Sequence, residues 1–139
     1  MAGTLVANTI NTDTGLFSTN NAYNGIAKAW VLFTYQTSAS PSIAIANSFN
    51  VSSITRNSTG DYTVNFTTAM PNTSYAIQAT CNNNNNGQPN NMTVKWGTGT
   101  AFANYSASLR TTTQIELING IGNTSTPNDI GECSVSIFA

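Results

Sequence analysis

Short apolar runs recur along this chain, separated by clusters of Asn, Thr, Ser, Gly and Pro. Residues 61–68 alternate cleanly, with Tyr62, Val64 and Phe66 on one face and Asp61, Thr63, Asn65 and Thr67 on the other. That two-residue period is the mark of a strand with one buried face. The turn signal Asn57-Ser58-Thr59-Gly60 lies before it, and the run 43–55 lies before the turn, so the stretch predicts a β-hairpin. Within 43–55 the apolar positions are Ile43, Ile45, Phe49, Val51 and Ile54. Their change of phase between Val51 and Ile54 predicts a bulge or bend near Ser52-Ser53. Residues 4–10, 74–81, 92–96, 101–109, 113–118 and 132–138 also read as strands. Tyr75, Ile77 and Ala79 share a face in one of them, and Cys133, Val135 and Ile137 share a face in another.

Residues 26–35 break this pattern. One face carries Ile26, Lys28, Trp30, Leu32 and Thr34, the other Ala27, Ala29, Val31, Phe33 and Tyr35. Both faces are largely apolar, which predicts a strand covered on both sides, by a second layer of its own chain or by another subunit. Trp30, Val31, Leu32 and Phe33 are the candidate subunit interface. Eight or nine short strands with turn signals between them predict one all-β domain, an antiparallel β-sandwich or jelly-roll-like fold over residues 26–139. Residues 1–25 form a short strand followed by a polar stretch without period, an extended N-terminal arm.

Composition narrows the function. Only 6% of residues are charged, against about 25% in an ordinary domain. The polar surface falls instead to 21 Asn and 22 Thr, residues that favour turns and strands. The four basic residues, Lys28, Arg56, Lys95 and Arg110, are scattered, which argues against nucleic acid as a partner, since phosphate binding needs clustered cations. No apolar run approaches the ~20 residues of a membrane-spanning helix. The first residues lack the basic start and apolar block of a secretory signal, so membrane insertion and export are not expected.

Candidate chemistry is sparse. There is no His, hence neither the commonest general base nor the commonest metal ligand. No catalytic residue, metal site or cofactor is expected. Asp129 and Glu132 are the nearest approach to a carboxylate pair, but they read as a solvated loop face. Cys81 and Cys133 are either two buried free thiols or a disulfide. Seven Asn-x-Ser/Thr triplets begin at Asn50, Asn57, Asn65, Asn72, Asn91, Asn104 and Asn123, as the abundance of Asn and Thr produces by chance. Five consecutive asparagines, Asn82, Asn83, Asn84, Asn85 and Asn86, read as a polar loop. Their amides can donate to and accept from sugar hydroxyls. With Trp96 and Tyr105 nearby for ring stacking, they form a candidate receptor or glycan loop.

Three blocks carry a resemblance: Ala27-Lys28-Ala29-Trp30-Val31, then Ser48-Phe49-Asn50-Val51-Ser52-Ser53-Ile54, then Gly60-Asp61-Tyr62-Thr63-Val64-Asn65-Phe66-Thr67-Thr68-Ala69-Met70-Pro71. In this order, over residues 27–81, the chain resembles small tail-fibre-like virion proteins of tailed phages, of the kind found in phages of cyanobacteria and marine bacteria. The opening Gly3-Thr4-Leu5-Val6 is similar to starts in that group. The resemblance implies a virion protein, made in the host cytoplasm, that forms a homotrimer and joins other virion proteins. After Cys81 the chain departs from that pattern. The expected function is non-enzymatic: a trimeric tail-fibre or tail-tip component in host attachment, with a host surface glycan as candidate receptor. A capsid cement or decoration protein clamping neighbouring capsomers comes second, and a polysaccharide-degrading spike enzyme third.

Overall fold

A computed structural model describes residues 9–12, 15–18, 25–36, 42–83, 90–94, 109–121 and 127–139. Among them the strands are β1 (Thr9–Thr12), β2 (Gly15–Ser18), β3 (Ala29–Gln36), β4 (Ser42–Phe49), β5 (Val51–Ser58), β6 (Asp61–Phe66), β7 (Ala76–Asn83), β8 (Asn90–Val94), β9 (Gln114–Ile121) and β10 (Ile130–Phe138). The alternating patterns produce two four-stranded antiparallel sheets, ordered β4-β3-β10-β7 and β5-β6-β9-β8. Among the described residues β1 and β2 pair with each other, as a separate two-stranded sheet.

The sheets pack face to face, because each brings its apolar alternation inward. Ala29, Val31, Phe33 and Tyr35 of β3 and Val135 and Ile137 of β10 supply one side; Tyr62, Val64, Ile115 and Leu117 supply the other. Tyr62 sits at the centre, fully buried, with edge-on contacts to Phe33 at 5.8 Å and to Tyr35 at 6.2 Å between ring centroids. This is the all-β sandwich that the alternation predicts. Burying such a ring and its neighbours is worth roughly 25 cal/mol per Å² of apolar surface, the main term holding the two layers together.

The run 43–55 is two strands rather than one. Asn50 breaks it with a left-handed φ of 54°, a conformation Asn tolerates better than most residues. The chain thereby leaves one sheet and enters the other. The register of β5 against β6 then slips between Val51 and Ser53, where the phase change predicts a bulge. The hairpin turn ends at Gly60, φ 71°. The segments 1–8 and 95–108, which hold most of one expected strand and nearly all of another, lie outside the described residues.

Candidate functional site

The outward face of the β4-β3-β10-β7 sheet gathers what the two-faced strand 26–35 foreshadows. Since β3 turns Val31 and Phe33 inward, Trp30, Leu32 and Thr34 face out and are half-buried. Register sets their neighbours: Trp30 lies between Phe49 and Ser136, Leu32 between Asn47 and Ser134. Phe49 is 53% exposed. The result places two aromatic residues opposite each other across β3 and β4, flanked by small uncharged polar residues.

This divides the four residues expected at an interface. Val31 and Phe33 are 1% and 0% exposed within a single chain; the opposite sheet covers them, so they are core and unavailable to a partner. Trp30 and Leu32 remain. Phe49 belongs with them, an apolar position of the run 43–55 to which the sequence pattern assigns no face. Its place beside Asn50, where the strand turns between sheets, carries it outside. An open hollow of about 430 Å³ adjoins it, lined by Phe49, Asn50, Thr67 and Thr68.

The asparagine run is not all loop. Asn82 and Asn83 are the last residues of β7, and the exposed Asn82 uses Oδ1 to accept from the Glu132 amide at 2.7 Å. That bond ties β7 to β10 next to the register shift between Ile130 and Cys133. Asn84, Asn85, Asn86, Trp96 and Tyr105 lie outside the described residues.

Asp129 is not a solvated loop carboxylate. Arg56 grips it through Nε at 2.9 Å and Nη2 at 2.8 Å, while the Gly60 amide and the Tyr62 hydroxyl each donate at 2.9 Å. Burial pushes this carboxyl up, but the bonds from Arg56, Gly60 and Tyr62 and the Arg56 charge hold it below its usual range. The guanidinium also stacks over Tyr35, 4.9 Å from the ring centre. Glu132, by contrast, is exposed and pairs in register with Thr34. With four donors on its two oxygens, this carboxylate fastens the β5–β6 turn to the start of β10. Arg110 does similar work at the other end. It donates from Nη1 to the Tyr75 carbonyl at 2.8 Å and lies over the Tyr75 ring, beside a cavity of about 220 Å³ lined by Ile77, Met92, Val94 and Leu117.

Cys81 and Cys133 are both free thiols, and they are direct register partners on β7 and β10. Among the described residues, no group of three or more His, Cys, Asp or Glu is placed to hold a metal ion, and no helix is long and apolar enough to cross a membrane. Compared with family models, with curated proteins and with solved structures, the chain matches none.

Proposed function

We propose that this chain is a non-enzymatic structural protein of a virus particle, a trimeric tail-fibre or tail-tip component that attaches the particle to its host. The observation that carries this reading is the outward face of β3 and β4. Trp30, Leu32 and Phe49 form an apolar patch whose register neighbours Asn47, Ser134 and Ser136 are uncharged, and such a patch suits burial against copies of the same chain. The resemblance over residues 27–81 supports the same reading, since those residues run from the approach to β3 into β7. Residues 84–86, with Trp96 and Tyr105, are the receptor-facing group in this proposal. Weak contacts to a surface glycan, repeated over three subunits, would gain affinity by avidity.

A capsid decoration role is the second reading. The observation favouring it is the β1–β2 pair, which among the described residues forms a two-stranded sheet separate from the two sheets of the sandwich and would serve as a clamp on neighbouring subunits. One experiment separates the two. Fluorescently labelled purified protein is offered host cells and, separately, empty capsids. Cell binding that is lost when Asn84, Asn85 and Asn86 are replaced by Gly and Ser supports attachment. Capsid binding without cell binding, lost on deletion of residues 1–20, supports decoration. Binding to neither overturns both.

A further inference from the structure

Three sulfur-bearing side chains, Cys81, Met92 and Cys133, gather at one end of the core. Cys133 is 1% exposed and its Sγ lies 3.2 Å from Met92 Sδ. Cys81, opposite it in register, is half-buried and donates to Asn119 Oδ1 at 3.0 Å. Both cysteines point into the sandwich, since they share their faces with Ile77 and Ala79 on β7 and with Val135 and Ile137 on β10. Directly opposed residues of an antiparallel pair have Cα atoms about 4.5–5.5 Å apart, inside the roughly 4.4–6.8 Å span of disulfides. The register shift between Ile130 and Cys133 adds local freedom for the backbone to adjust.

The geometry points to Cys81 and Cys133 as an oxidation site, closed to a cross-strand disulfide by a peroxide. The bond would be absent while the chain is in reducing surroundings and would form on exposure to oxidant. Cys81 reacts first, because it is the less buried of the two. The neighbouring Cys81 sulfur and burial push the Cys133 thiol up, and it stays protonated. The Cys81 thiolate attacks one peroxide oxygen; the O–O bond breaks, hydroxide leaves, and Cys81 becomes a sulfenic acid. Cys133 sulfur then attacks Cys81 sulfur; the S–O bond breaks, and water leaves carrying the Cys133 proton. Two thiols lose two electrons, and one peroxide becomes two waters. Among the described strands β7 is an edge whose sheet partner is β10, so the bond adds a covalent tie to an edge held by the β-ladder and the Asn82 side chain. It also closes a long loop spanning β8 and β9, the kind of cross-link that most restricts the unfolded chain.

Reduced full-length protein is treated with dilute hydrogen peroxide, then analysed by intact mass and thermal denaturation. The expected product has lost about 2 Da, carries no iodoacetamide label after unfolding, and melts on the order of 10 °C higher, an effect reversed by dithiothreitol. In Cys133→Ser, Cys81 has no resolving partner and the mass rises by about 32 Da as the sulfinic acid forms. A wild-type protein that also gains about 32 Da overturns the proposal, as does a reductant-sensitive dimer, which would show bonding between chains instead.

Discussion

Asp129 shows how one residue can hold a turn that sequence patterning leaves unsupported. Its four donors come from Arg56, Gly60 and Tyr62, residues nearly seventy positions away in sequence. Removing one partner of a buried ion pair leaves the other charge uncompensated, which costs about 3 kcal/mol or more in a well-buried case. This pair is partly exposed, with side chains 28% and 17% accessible, so Asp129→Ala should cost about 2 kcal/mol by chemical denaturation. A double-mutant cycle with Arg56→Ala should return clear coupling; additivity would show that the pair does not interact in solution. The pH dependence follows from the same contacts. The Asp129 carboxyl titrates below its ordinary 3.8 in the folded chain, so its contribution is present above that pH and is lost as pH falls through the folded value. Tyr62 behaves in the opposite sense. Burial first, then the bond to Asp129, raise its hydroxyl well above the ordinary 10.0. The neutral form is favoured on folding, so this stability is full below pH 10 and is lost as pH rises beyond it. A stability profile should therefore be flat through neutrality and fall at both ends. Asp129→Asn should flatten the acid limb, and Tyr62→Phe should remove part of the alkaline one.

At the scale of elements, two corners decide where strands go. Gly60 has φ 71°, and a Cβ there would lie 2.6 Å from the Asn119 carbonyl oxygen and 2.7 Å from the Asn128 nitrogen. Left-handed strain and a backbone collision add, so Gly60→Ala should cost at least about 2 kcal/mol and lower Tm by many degrees. A variant melting with the wild type would refute the turn geometry. Asn50 is the other corner. Its amide donates to the carbonyls of Lys28 and Thr68 at 3.0 and 3.1 Å and accepts from the Thr68 amide at 2.7 Å. Asn50→Ala loses these bonds and adds strain at φ 54°, whereas Asn50→Gly loses only the bonds. Alanine should therefore be the worse substitution by about 1 kcal/mol in the same denaturation assay. These corners mark the limit of what was legible in the sequence. Alternation alone gives the core faces of β6, β7 and β10, because a period of two needs no knowledge of neighbours. The turn at Gly60 and the bulge near Ser52 are local too. The split of 43–55 into β4 and β5 was not legible: Asn50 is one asparagine among 21, and what makes it a corner is its bonding to Lys28 and Thr68. The binding of Asp129 was not legible for the same reason, since burial at a strand end depends on partners brought from elsewhere in the chain.

For the whole molecule, the low charge content has a consequence for assembly. Of the nine ionisable Asp, Glu, Lys and Arg residues, Arg56 and Asp129 neutralise each other and Asp61 is 3% exposed. Little charge is left to steer copies together or hold them apart. Association across the Trp30, Leu32 and Phe49 face would then be driven by apolar burial and be nearly indifferent to screening. Light scattering should give about three times the monomer mass of 14.6 kDa, unchanged from low salt to about 1 M. Phe49 is the residue to test, because it is 53% exposed and contributes little to the core of its own chain. Phe49→Ser should leave Tm of the isolated domain within a few degrees of the wild type and yet dissociate the assembly. Trp30→Ser should weaken both, since that side chain is half-covered by its own sheet. A wild-type protein that is monomeric at micromolar concentration would remove the trimer. An assembly that survives Phe49→Ser intact would place the interface on some other face of the sandwich.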